Sequence, residues 1–227
     1  MAASLPARQA APLPFAQFHT GSSGYFNQYG VLAYDAPPAE LKDLAQPSLT
    51  AQRLMPLFSG KAQDRDLVVN ERAKTAAITP RALPRLTAYL QAAKANGIRT
   101  VFPTVLDFQV ADGTTRDGNE AEFAGLFKTA EGRQNLATTI AAFIGQAERQ
   151  ARQAGVQAVW DLWNEPEGAI ALSIPERQAF LQELLTQLAA LNVSEGLQVT
   201  IGARNVQGLS YWLPVFERGP VKAAIDA

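Results

Sequence analysis

Cysteine is absent from all 227 residues. Its absence excludes disulfide frameworks, thiolate metal sites and cysteine nucleophiles, and it leaves the compartment open. Histidine occurs once, at His19, too few for a histidine-built metal site; alone in an N-terminal loop it reads as a solvated or hydrogen-bonded side chain. Charge of one sign is not in excess, with 20 Lys and Arg against 21 Asp and Glu, so nothing electrostatic points to a nucleic-acid or anionic-membrane partner. Long apolar runs are missing too. No segment approaches membrane-spanning length, and residues 1–14, rich in Ala and Pro, lack the continuous apolar stretch of a secretory signal. That stretch reads as a flexible arm ahead of one domain over 15–227; either the chain is cytoplasmic or an export signal is missing from it. A glycine-rich phosphate turn is also lacking, because Gly21-Ser-Ser-Gly24 has the wrong spacing.

What is present is an alternation of short apolar runs with long amphipathic helices. Leu83, Leu86, Leu90 and Ala93 recur at helical spacing behind Thr79-Pro80, a cap residue followed by proline, and Gly97 stops that helix. Ile98 to Asp107 then reads as a strand. Leu136, Ile140, Phe143, Ile144 and Ala147 share a helical face that ends at Gly155, and Val156 to Asn164 is the next strand. Ser173-Ile-Pro-Glu176 has capping-box spacing ahead of a stripe from Phe180 to Leu191, and Leu197 to Ala203 is a further strand. Upstream, weaker strands fall at Tyr29 to Tyr34 and Arg53 to Phe58, the latter interrupted by Pro56, with a short helix from Pro38 to Leu44 between them. Five strands alternating with helices predict parallel βαβ units. With no phosphate turn for an open doubly wound sheet, the pattern favours a partial (β/α)8 barrel, whose functional residues stand at the carboxyl ends of strands.

The informative residues fall at those ends. Trp160-Asp-Leu-Trp-Asn-Glu-Pro-Glu-Gly168 puts Asn164 and Glu165 where an apolar strand terminates, with Pro166 preventing its continuation and Gly168 loosening the loop. A carboxylic acid in such a place protonates a glycosidic oxygen when apolar walls and a second carboxylate favour its neutral form. Asn164 offers an amide to a sugar hydroxyl, and Trp163 and Trp160 offer apolar walls. Asp107 either lines the site or caps the following loop. Asp161 reads as a buried hydrogen-bonding residue of the interior. Arg204, Asn205 and Trp212 either shape a sugar subsite or, for Trp212, join the core. The connection from Gln109 to Gly132, with Asp112-Gly-Thr-Thr-Arg-Asp-Gly118, lacks the ligand spacing of an EF-hand and reads as a solvated loop beside the site. Asn192-Val-Ser194 has the form of a glycosylation acceptor, which matters only on export.

A strand running into Asn-Glu-Pro, preceded by aromatic and acidic residues, resembles the fourth strand of clan A glycoside hydrolases of the cellulase and mannanase-like kind. Ile78-Thr-Pro80, Ala95-Asn-Gly-Ile98 and Val105-Leu-Asp-Phe108 resemble their third unit. The resemblance implies that Glu165 is the acid/base, that Asn164 binds substrate, and that Arg53 matches a substrate-site arginine. It implies a carbohydrate substrate, retention through a covalent intermediate, no cofactor and no metal. The retaining mechanism also needs a nucleophilic carboxylate about 5 Å from the acid, placed in that clan on a seventh strand. Glu167, Glu176 and Glu217 carry no motif for the role, so no nucleophile is assigned. Five strands followed by VKAAIDA suggest an incomplete copy of the barrel, inactive alone and prone to associate through open sheet edges. A non-catalytic glycan-binding protein is the alternative. An isomerase or aldolase barrel is disfavoured because no phosphate-binding loop or strand-end lysine is evident.

Overall fold

The computed structural model describes residues 51–54, 57–58, 66–113, 118–191 and 196–218. The arm over 1–14, His19, the strand expected at Tyr29 to Tyr34, the helix from Pro38 to Leu44, Pro56, Asn192 to Ser194 and the run VKAAIDA lie outside them.

Four strands form a parallel sheet: β1 (Ala51–Leu54), β4 (Thr100–Asp107), β5 (Gln157–Asn164) and β6 (Gln198–Gly202), hydrogen-bonded in that order. Spatial order follows chain order without reversal, as in a barrel and unlike a doubly wound sheet with its switch point. Helix α1 (Ala82–Ala95) links β1 to β4, α2 (Gly118–Lys128) and α3 (Ala130–Ala154) link β4 to β5, α4 (Ile174–Ala189) links β5 to β6, and α5 (Val206–Arg218) follows.

Local chemistry sets the helix ends. Thr129 caps α3 by accepting from the Gly132 N–H, and Gly155 closes it in the left-handed conformation at φ 69°. The Ser173 and Glu176 side chains make the complete capping box of α4. The expected cap of α1 is not formed. Its N-cap is Arg81, with no side-chain cap bond, because the Thr79 hydroxyl instead donates to Asp66 at 2.7 Å.

Two further expectations change. Of the strand expected from Arg53 to Phe58, Arg53 and Leu54 fall in β1, Leu57 lies in a bend, and Phe58 makes an isolated parallel bridge to Leu106. The connection from Gln109 to Gly132 is not a solvated loop. It holds a 3-10 turn at Phe108–Ala111 and all of α2, whose Phe123, Leu126 and Phe127 are fully buried. An antiparallel hairpin of β2 (Leu67–Asn70) and β3 (Thr75–Ile78) was also not foreseen. It lies against α3, where Asn135 and Thr139 donate to the Lys74 and Ala76 carbonyls at 2.7 and 3.0 Å.

The main core lies between the sheet and its helices. Leu136, Ile140, Ile144 and Ala147 of α3 and Phe180, Leu181, Leu184 and Leu185 of α4 meet Val101, Val105, Trp160 and Leu162 of the strands, all buried. A second, smaller cluster of Ala51, Phe102 and Val159 occupies the other sheet face, the one a barrel turns inward.

Candidate active site

Above that inner cluster, toward the carboxyl ends of the strands, the inward side chains become polar. Arg53 of β1, Thr104 of β4 and Asp161 of β5 form one linked group. The Arg53 guanidinium pairs with Asp161, which also accepts from the Thr104 hydroxyl at 3.1 Å and from the Gly202 N–H at 2.9 Å. Three donors on a carboxylate only 2% exposed satisfy its charge. Asp161 therefore has the interior hydrogen-bonding role expected of it.

One step further along, Asp107 and Asn164 stand opposite each other in the β4–β5 register. The Asn164 Nδ2 donates to the Asp107 carboxylate at 2.8 Å, and its Oδ1 accepts from the Arg53 Nη2 at 3.0 Å. Arg53, Asn164 and Asp107, singled out from sequence, thus lie in one network. Burial pushes the Asp107 carboxyl above the usual carboxylate range and negative Glu165 adds to this, against the hydrogen bonds from Asn164 and the Phe108 backbone and the charge of Arg53.

Glu165 follows directly. Its backbone is left-handed, at φ 47° and ψ 53°, and its N–H donates to the Gly202 carbonyl at 2.5 Å. A non-glycine residue held there costs about 1–2 kcal/mol, and such outliers gather at functional sites. Pro166–Gly168 then forms a 3-10 turn that carries the chain off the strand. Gly168 does not loosen this loop: a Cβ there would lie 2.9 Å from the Phe108 ring, so glycine lets two segments close up.

The tryptophans sit elsewhere. Trp163 was expected at the substrate wall but is 0% exposed, stacked on Phe127 and edge-on to Phe180, with its Nε1 donating to the Asp107 carbonyl. The β5–β6 register shifts between Asp161 and Asn164, which puts Leu162 and Trp163 together in the helix-side core and returns Asn164 to the inner face. Trp160 likewise faces α3, donating to buried Glu148 at 2.9 Å. Trp212 is wholly buried, its core alternative. Asn205 caps α5 by accepting from the Gly208 N–H, and the Arg204 N–H donates to Glu167.

Sequence reasoning missed Arg177. Buried in the first turn of α4, it donates to the Pro166 and Ser173 carbonyls at 2.6 and 3.2 Å and lies over the Trp212 ring at 6.0 Å. It thereby ties down the turn that carries Glu165. An arginine beside a capping box advertises nothing of this in sequence. Gly202 was missed as well: a Cβ there would stand 2.7 Å from the Arg53 Nη2 and 3.2 Å from the Asn164 Oδ1, so β6 leaves room for the network. Among the described residues no cluster of three or more His, Cys, Asp or Glu is arranged to hold a metal ion, and no helix is long and apolar enough to cross a membrane.

No protein-family model matches the chain, and no curated protein matches it. Solved structures do. The β-mannanase of the blue mussel Mytilus edulis superposes with a TM-score of 0.58 at 15% identity, over 80% of this chain and 57% of that one. The β-1,4-mannanase of the common sea hare Aplysia kurodai gives 0.56 at 16% identity, over 78% and 57%. This chain therefore spans less than two thirds of either neighbour, and at such identities the likeness is one of fold alone, a partial (β/α)8 barrel.

Proposed function

We propose that this chain carries the acid/base half of a glycoside hydrolase site that acts on β-linked polysaccharide with retention. The observation that carries the proposal is Glu165, held in a strained backbone conformation at the end of a parallel barrel strand, next to the Arg53–Asn164–Asp107 network. Both neighbours by fold are mannanases, which makes a β-1,4-linked mannan the first substrate to try. Glu165 would protonate the departing glycosidic oxygen, then take a proton from the water that opens the glycosyl intermediate.

A nucleophile is still required, and the described residues offer none. Asp107 and Asp161 are buried and bonded, while the Glu167 carboxylate turns to the Arg204 N–H. The second carboxylate would come from outside them. The edge of β6 has no partner strand among the described residues, and copies of the chain would associate there. The missing nucleophile also favours a second reading, a cleft that holds glycan without cleaving it.

Calorimetry with β-1,4-linked manno-, gluco- and xylo-oligosaccharides, alongside an assay for new reducing ends, tests both. Saturable binding is expected, and turnover that vanishes in Glu165→Gln would establish the enzyme. Binding without product in any preparation selects the non-catalytic reading. No binding to any of the three removes both.

A further inference from the structure

We infer that Asp107 is a positioning residue: its carboxylate locks the Asn164 amide in one orientation, so that whatever enters meets its N–H group and its carbonyl oxygen at fixed positions. The inference deepens the glycosidase proposal and rests on it for the identity of the ligand.

The geometry follows from donor and acceptor chemistry. An asparagine amide has two N–H groups and two lone pairs on oxygen. Arg53 only donates and an ionised Asp107 only accepts. The Asn164 oxygen faces the first at 3.0 Å and its nitrogen faces the second at 2.8 Å. Turning the amide over would put an N–H against the guanidinium and oxygen against carboxylate, so the two flanking charges fix one orientation. Arg53 is itself fixed by Asp161, and Asp161 by Thr104 and the Gly202 N–H.

Asp107 is poorly placed to touch substrate, being 3% exposed. Its side chain is engaged by Asn164 and the Phe108 backbone, and its carbonyl accepts from Trp163 at 3.1 Å. What remains on Asn164 is the second Nδ2 hydrogen and one Oδ1 lone pair, and the lock fixes which of them a ligand hydroxyl meets. A neutral Asp107 would still accept through its carbonyl oxygen, consistent with the upward pull of burial on that carboxyl. The Asp107→Asn variant should then preserve the lock while Asp107→Ala should not.

Two readouts separate failure of this inference from failure of the glycosidase proposal. The Asn164 side-chain amide resonances, recorded on the full chain without ligand, should move in Asp107→Ala and stay near their wild-type positions in Asp107→Asn. Should the alanine variant not fold, Asp107→Ser, too short to reach the amide, replaces it. Affinity for β-1,4-linked mannotriose should fall roughly tenfold in Asp107→Ala, the size of one charge-assisted hydrogen bond, and recover in Asp107→Asn. Unchanged Asn164 resonances in the alanine or serine variant would overturn the positioning role whatever binds. Resonances that move as expected in a wild-type chain that ignores mannotriose would uphold the lock and count against a mannan substrate.

Discussion

The two sides of β5 obey different rules. Its helix side carries Trp160, Leu162 and Trp163, all fully buried and packed against α2, α3 and α4. Its inner side carries Asp161 and Asn164, nearly as buried yet joined to Arg53, Thr104 and Asp107 by hydrogen bonds. Apolar packing dominates the first side, with one indole hydrogen bond from each tryptophan, to Glu148 and to the Asp107 carbonyl. The second costs desolvation that an apolar residue of similar volume would not incur, and its bonds return only part of that. A strand that keeps charges inward, at the end where barrels place their chemistry, points to a use beyond stability.

Mutations on the two sides should therefore separate stability from ligand binding. Trp163→Ala should cost the most stability, about 3–5 kcal/mol, seen as a large drop in the denaturant midpoint; a loss under 1 kcal/mol would break the contrast. Asp161→Ala should cost about 2–3 kcal/mol, because the Thr104 hydroxyl and the Gly202 N–H lose their acceptor. The half-exposed Arg53 adds little of this in solvent. Ser173→Ala should cost about 1 kcal/mol through the broken capping box, with oligosaccharide affinity unchanged. Glu165→Gly should do the reverse: relief of the left-handed backbone leaves stability equal or higher by about 1 kcal/mol, while any turnover the chain shows is lost. A pH effect sharpens the same contrast. The folded-state value of Asp107 is raised, so the folded chain holds that proton more tightly, and Asp107 lowers stability as pH rises from the ordinary aspartate value through the raised one. Glu176 is lowered by the Ser173 backbone bond, so its contribution is lost as pH falls from the ordinary glutamate value through the lowered one. Melts of Asp107→Asn across that range should lack the first slope only.

Much of this was legible in sequence. Helical periodicity found α1, α3 and α4, and Asn164-Glu165-Pro166 marked a strand end because proline cannot extend a strand and the preceding residues are apolar. The misses have physical causes. Trp163 was expected at the substrate wall, but a register shift after Asp161 put Leu162 and Trp163 together on the helix side. Helix α2 was hidden behind Asp112-Gly-Thr-Thr-Arg-Asp-Gly118, whose turn composition masked Phe123, Leu126 and Phe127 beyond it. The hairpin strands are only four residues each, too short for periodicity to register. Gly202 matters through Arg53 and Asn164, distant in sequence, and Arg177 through Pro166 and Trp212, beyond its own helical turn.

Chemical-shift mapping of the full chain titrated with a β-1,4-linked manno-oligosaccharide is the most direct test. Saturable shifts should centre on Arg53, Asn164, Glu165 and Gly202 and vanish in Asn164→Ala. Shifts confined to the outer groove of Gln178, Gln182 and Pro214, or none at any concentration, would contradict a glycan site at the strand ends.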